Sequence, residues 1–222
     1  MHPSRPTGSS RRSYRKRKSI PALGQARDDG QARLSAVEIY LARHGETEWS
    51  LNGRHTGSTD LPLTAHGEYQ AVTLSDSLKK IHFDAVYSSP LQRATRTAKI
   101  AGFQDPELTP LLREVDYGEY EGLTTKAIHE LRPGWELYRD GCPGGETPEH
   151  IYARAMDFIA LAAAANGRVV AFSHGHFLRA VAIAWMMLEI KAAAALYLDV
   201  ATLSILRYEE HARVLAVWNA PQ

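Results

Sequence analysis

Val37-Glu38-Ile39-Tyr40-Leu41-Ala42-Arg43-His44-Gly45 reads as a short apolar strand that runs straight into a charged turn. Two later stretches repeat the arrangement. Asp84 to Ser88 leads into Ser88-Ser89-Pro90-Leu91-Gln92-Arg93, and Arg168 to Phe172 leads into Ser173-His174-Gly175. Between them the pattern turns helical. Thr64 is placed to cap a helix through about Lys80 with Ala71, Leu74 and Leu78 on one face. Pro90 sits where a first helical turn tolerates it, and Leu91 to Ala101 follows as a helix carrying Arg93 and Arg96. Thr147 to Ala165 predicts a long helix and His176 to Leu188 a largely apolar one. Strand–helix alternation through most of the chain predicts an α/β sandwich with a mainly parallel sheet.

The remaining segments fill in that outline. Gly45 to Leu63 is a polar loop broken by Gly53, Gly57 and Pro62. Leu108 to Val115 is expected to be extended and to lead into the two-glycine loop Asp116-Tyr117-Gly118-Glu119-Tyr120-Glu121-Gly122. Short helices are predicted near Thr124 to Leu131 and Trp135 to Arg139, followed by a loop at Gly141 to Gly145. Val200 to Tyr208 and Arg213 to Trp218 alternate as two antiparallel strands. Trp185 and Trp218 are assigned to the core, with a homodimer face as the alternative.

The chain of 222 residues, 44% hydrophobic and 23% charged, is long enough for one globular domain with a sizeable core. Charge is uneven. Residues 1–35 hold nine Arg/Lys against Asp28 and Asp29, a net of +7, so residues 36–222 carry −6 within a chain total of +1. Rich in Ser, Arg, Gly and Pro and without apolar periodicity, residues 1–35 are expected to be a disordered basic tail ahead of a domain over 36–222. That tail has no aromatic interleaving beyond Tyr14, which argues against nucleic acid as a partner. It also lacks the apolar core of a secretory signal. The single Cys142 forbids an intramolecular disulfide and fits a cytoplasmic location. The longest apolar run, Ala180 to Leu188, has nine residues where a membrane helix needs roughly 20, so no membrane partner is expected.

Ligands of open α/β sheets bind beyond the carboxyl ends of the strands. Arg43, His44, Arg93 and His174 converge there, which makes a rigid cationic pocket suited to a phosphoryl group. Guanidinium groups match phosphate oxygens with paired donors, and helix N-termini add backbone N–H groups. His44 is the candidate nucleophile. Imidazole attacks phosphorus only through a nitrogen lone pair, so the ring must be neutral and its other nitrogen held as a donor. The tight turn at Gly45 offers a carbonyl for that purpose. Arg43, Arg93 and a protonated His174 would stabilise the equatorial oxygens in the transition state. Glu114, just before the two-glycine loop, is the candidate general acid, and later the base that activates water. Each residue alone has an ordinary reading as a surface turn or surface charge; their joint placement is what signals chemistry. His174 and His176 are spaced to chelate, but no acidic cluster or Cys set accompanies them, so neither metal nor cofactor is expected.

Leu41-Ala42-Arg43-His44-Gly45-Glu46-Thr47-Glu48-Trp49 resembles the signature of the histidine phosphatase superfamily, in its phosphoglycerate-mutase-like branch. Further motifs follow in order: Gly53-Arg54-His55-Thr56-Gly57, Leu61-Pro62-Leu63-Thr64, Ser88-Ser89-Pro90 with Arg93, Leu112-Arg113-Glu114, Gly144-Gly145-Glu146 and Ser173-His174-Gly175. The resemblance spans about residues 37–218. It implies a three-layer α/β/α fold, a phosphohistidine at His44, a phosphate pocket of Arg43, Arg93 and His174, and proton transfer by Glu114. It also places Thr56, Gly57 and Tyr117 over the substrate, and Gly175 and His176 at the anion site through their backbone. Mutases of this family carry Asn where this chain has Ser50, a position expected to face the substrate, and Asn again where it has His176. They also carry extra cations that hold a bisphosphate intermediate, whereas Lys126, Arg132 and Arg139 here lack that context. The expected activity is therefore a metal-independent phosphomonoesterase acting on a small phosphorylated metabolite, such as a sugar phosphate or bisphosphate. The alternatives are a phosphoglycerate mutase and a phosphoanion-binding module without turnover.

Overall fold

Six strands form one sheet: β1 (Glu38–Arg43), β2 (Ala85–Ser88), β3 (Glu107–Leu108), β4 (Arg168–Ser173), β5 (Leu203–Glu209) and β6 (Ala212–Ala220), in the spatial order β3-β2-β4-β1-β5-β6. The computed structural model describes residues 37–221, so the expected basic tail lies outside the described residues. β1, β2, β3 and β4 run parallel, β5 pairs antiparallel with β1, and β6 pairs antiparallel with β5. The central pair is β1 with β4, whose last residues, Arg43 and Ser173, stand side by side.

The helices are α1 (Glu48–Leu51), α2 (Ala65–Leu78), α3 (Gln92–Ile100), α4 (Thr125–Leu131), α5 (Leu137–Asp140), α6 (Pro148–Ala164) and α7 (Gly175–Trp185). Side chains of a strand alternate between faces, and here the alternation divides the core in two. Ile39 and Leu41 of β1 join Val169 and Ala171 of β4 against α6 and α7. Tyr40 and Ala42 join Val170 and Phe172 against Leu74 and Leu78 of α2 and Ala94 and Ala98 of α3. With helices on both faces the architecture is the expected three-layer α/β/α sandwich. Thr64 and Thr147 cap α2 and α6 by accepting from Gly67 N and His150 N, as their side-chain chemistry favours.

Two segments differ from the sequence reading. Leu108 to Val115 is not continuously extended, because Thr109 caps a 3-10 turn over Pro110–Leu112. The loop from Gly45 to Leu63 contains α1, where Thr47 and Ser50 exchange side-chain and backbone hydrogen bonds. Trp185 is fully buried, with Nε1 donating to Val214 O, and Trp218 is half-buried against the same core with Nε1 donating to Tyr197 O. No helix among the described residues is long and apolar enough to cross a membrane.

The turn after β1 crosses the start of α2 at backbone contact. A Cβ on Gly45 would lie 2.3 Å from Gly67 O, and one on Gly67 would lie 2.2 Å from Glu46 O. Gly67→Ala should therefore force the two segments apart and destabilise the fold by about 1–3 kcal/mol, read as a lower midpoint in urea unfolding. An unchanged midpoint would show that the crossing relaxes freely.

Candidate active site

The site grows from the carboxyl ends of β2, β4 and β1. His44 and His174 are the first residues beyond the paired ends of β1 and β4, and His44 N donates to Ser173 O at 3.0 Å. Their rings meet edge-on with centroids 5.1 Å apart. Ser89, just past β2, has its hydroxyl 2.8 Å from His174 Nε2. The sheet alone thus brings together three segments more than 40 residues apart in the chain.

The buried ring of His44 has Nδ1 2.7 Å from Gly45 O. A carbonyl only accepts, so Nδ1 carries the proton and Nε2 keeps a free lone pair. Burial holds this imidazole well below its ordinary pKa, and the positive charges of Arg93 and Arg43 add to the effect. Gly45 N in turn donates to Thr97 Oγ1, which locks the turn to α3. The neutral tautomer expected from the sequence, with the Gly45 carbonyl as its anchor, is the one the geometry presents.

Arg93 is fully buried and tied on every side. Nε donates to His174 Nδ1 at 3.0 Å, Nη1 to Thr59 O, and Nη2 to Thr56 O and Gly57 O. This corrects the expectation of a protonated His174. An Nδ1 that accepts from Arg93 is unprotonated, so the proton of the ring sits on Nε2 beside Ser89 Oγ. Desolvation, then Arg93, His44 and Arg43, push the pKa of His174 well below that of free imidazole. Fixed positive charge in the pocket therefore comes from guanidiniums. Arg43 donates through Nη1 to Leu198 O, while its buried Nε has no hydrogen-bond partner among the described residues. Its guanidinium lies against the first turn of α7, where a Cβ on Gly175 would come within 3.1 Å of Cζ.

Glu114 follows the 3-10 turn and is 9% exposed. Its carboxylate accepts from His176 N and Phe177 N at the start of α7, and from its own neighbour Val115 N. A carboxylate at a helix N-terminus gains from the partial positive charge there. His176 shows a third fixed tautomer. Tyr117 OH lies 2.6 Å from its Nδ1, and burial holds the phenol well above its usual pKa. The hydroxyl is the donor, so the proton of His176 sits on Nε2.

A cavity of about 210 Å³ joins Arg43, His44, Ser50, Thr56, Glu114, Tyr117, Gly175 and His176. Three expected residues do not line it: Arg93 and His174, both fully buried, and Gly57. Gly57 lines a neighbouring cavity of about 290 Å³, with its N–H donating to both carboxylate oxygens of Glu121. Sequence reasoning missed Arg54, His55, Arg179 and Tyr197, which also line the first cavity. Arg54 and His55 lay within a quoted motif, and Arg179 falls four residues after Gly175 on one helix face, so a helical-period argument would have found it. Tyr197 sits in an irregular loop that carries no signal. Among the described residues, no group of three or more His, Cys, Asp or Glu side chains is arranged to hold a metal ion. Buried Cys142 has its thiol pushed up to about 12, mainly by desolvation, which makes it inert packing rather than a nucleophile.

Taken together, the fold and the strand-end cluster define a phosphate-handling α/β protein, and comparison with known proteins gives it a family. A sequence model of the histidine phosphatase superfamily (branch 1) matches residues 39–221, and the chain belongs to that superfamily. It is 43% identical over 183 residues to an acid phosphatase of Mycobacterium tuberculosis, covering 81% of this chain and 90% of that protein. It is 35% identical over 188 residues to the sedoheptulose 1,7-bisphosphatase of Saccharomyces cerevisiae, covering 68% of each. A solved structure of an open reading frame product from Mycobacterium tuberculosis superposes with a TM-score of 0.80 at 40% identity, covering 83% of this chain and 97% of that one.

Protonation of the buried imidazoles should couple to stability. His44, His174 and His176 are held well below their unfolded value of 6.5, and His55 is lowered to about 4, mainly by burial. Below 6.5 the unfolded chain binds more protons than the native one, so stability present above 6.5 is lost as pH falls towards the folded values. Calorimetry should show Tm falling by several degrees between pH 7 and pH 4.5, with proton uptake on unfolding. A Tm flat across that window would mean that these rings titrate normally.

Proposed function

We propose that this protein is a phosphomonoesterase acting on small phosphorylated metabolites through a phosphohistidine on His44. The observation that carries the reading is the tautomer of His44: Nδ1–H is anchored on Gly45 O, so a lone pair on Nε2 faces a cavity lined by Arg43, Glu114 and Gly175. Similarity to an acid phosphatase and to a sugar bisphosphatase supports the same class of substrate.

The ester phosphate enters with its oxygens towards Arg43 Nε and the N–H of Gly175, since the next two N–H groups of α7 are held by Glu114. His44 Nε2 attacks phosphorus while the bond from phosphorus to the ester oxygen breaks. Glu114 takes up the proton of the entering ester monoanion and delivers it to the departing alkoxide. The carboxylate so formed then takes a proton from water as the water oxygen attacks the phosphohistidine. The P–N bond breaks, Glu114 passes its proton to the inorganic phosphate, which leaves as the monoanion, and both His44 and Glu114 return to their starting forms. Arg93 acts largely through others: it orients His174 and holds the carbonyls of residues 56, 57 and 59. Because guanidiniums and helix N–H groups supply the compensating charge, a chelator should leave turnover unaffected.

His44→Ala should abolish phosphate release, by a factor of about 10³ or more, and remove the acid-labile, alkali-stable phosphoryl adduct seen on quenching. Retained turnover in that variant, with contaminating phosphatase excluded, would overturn the assignment. Glu114→Gln should slow hydrolysis of alkyl phosphates by about 10²-fold or more and of aryl phosphates much less, since a phenolate leaves without a proton. Equal losses for the two classes would remove Glu114 from the acid role.

A further inference from the structure

The cavity holds more positive charge than one phosphate group needs. Arg43, Arg54 and Arg179 all line it, and Glu114 is the single carboxylate in that lining. Glu114 is already bound to backbone N–H groups, so it neutralises none of the three through an ion pair. Arg43 belongs to the phosphate end of the cavity, against Gly175. Arg54 and Arg179 line the same cavity with other surroundings.

Arg54 is exposed and makes no ion pair or side-chain hydrogen bond among the described residues; its guanidinium lies 6.0 Å from the Trp49 ring. Arg179 stands one helical turn beyond Gly175 on α7. Its Nε and Nη2 donate to Ala193 O, and Nη2 also reaches Ala194 O. Nη1 has no such partner among the described residues, and Cζ lies 5.2 Å from the Tyr138 ring. One edge of this guanidinium is thus anchored by the 3-10 turn over Ile190–Ala195 and stacked on a buried tyrosine, while the other remains free. A guanidinium held in that way is preorganised to meet a planar or tetrahedral anion. Residues 36–222 are acidic overall, so an anionic substrate needs such a local concentration of cations against the general field.

We propose that Arg54 and Arg179 form a second anion subsite, so that the preferred substrate is a phosphate monoester bearing a further carboxylate or phosphate group. This rests on the hydrolytic reading above and adds the charge of the part of the substrate that does not react. The scissile phosphate sits at His44, and the second anion lies across the cavity on the free edges of the two arginines. Neither group takes part in bond breaking. They select the ester by charge at the partly solvated rim, where each arginine should contribute about a threefold to tenfold preference.

The test compares kcat/KM within matched pairs of esters. 3-Phosphoglycerate and glycerol 3-phosphate differ by a carboxylate in place of a hydroxymethyl group. Propane-1,3-diol bisphosphate and 3-hydroxypropyl phosphate differ by the second phosphate. The native enzyme should favour the more anionic member of at least one pair, and which pair responds tells carboxylate from phosphate. Arg54→Gln and Arg179→Gln should each shrink that ratio by at least about threefold through KM, and Arg179→Lys should restore part of it. Each variant is scored as a ratio of two substrates, so a general loss of folded or active enzyme cancels. No preference in the native enzyme, or a preference untouched by both substitutions, would overturn the subsite. If no ester releases phosphate, the hydrolytic reading fails separately, and calorimetric titration with the same pairs decides the subsite. Tighter binding of the more anionic ester, lost in Arg54→Gln, would sustain it, and equal binding would overturn it.

Discussion

The in-register parallel pairing of β1 with β4 is the constraint from which the site follows. Because Arg43 faces Ser173 across that pair, the next residue of each strand, His44 and His174, must emerge together at the same edge. A shift of one residue in either strand would send one imidazole to the opposite face and exchange the two halves of the core. The apolar division of the strands, with Ile39 and Leu41 towards α6 and α7 and Tyr40 and Ala42 towards α2 and α3, resists that shift. Core packing therefore sets the geometry of the candidate site.

Beyond the strand ends, placement passes to hydrogen bonds that use nearly every donor available. Gly45 illustrates the economy: its lack of a side chain lets the turn lie on Gly67, its carbonyl fixes the proton of His44, and its N–H is held by Thr97. Arg93 links α3 to the loop after α1 and to His174, so it sets the position of three segments at once. Glu114 links the 3-10 turn to α7 in the same way. Buried polar groups that are fully satisfied rigidify their surroundings. Arg43 Nε stands out against this background as a buried donor without an acceptor among the described residues.

The sequence was most legible where physics is local. Apolar strands ending in charged turns, threonine caps at 64 and 147, and the alternation of elements all carry signals within a few residues, and the sheet, its parallel core and the antiparallel β5–β6 pair agree with them. Legibility failed where a feature was short or depended on distant partners. α1 has four residues, too few for a period, and betrays itself only through Thr47 and Ser50. The neutral state of His174 could not be read at all, because it depends on Arg93, 81 positions away, donating to Nδ1. Gly57 matched a motif yet faces a different cavity, since motif and lining are separate facts.

That the histidines are neutral and the arginines charged has a physical reason. An imidazole buried beside two guanidiniums loses its proton because like charges and lost hydration both oppose the cation, whereas a guanidinium keeps its charge through the same conditions. On the proposed mechanism the pocket separates two duties that one protonated ring would confuse: permanent charge to hold the phosphate, and a lone pair to attack it. The two hydrogen bonds that engage Nδ1 of His44 and of His174 do different work. On His44, Gly45 O fixes the single proton of the neutral ring on Nδ1, while burial and the charges of Arg93 and Arg43 oppose a second one on Nε2. On His174, Arg93 occupies the nitrogen that a second proton would need, so this ring stays a neutral donor while the guanidiniums carry the field.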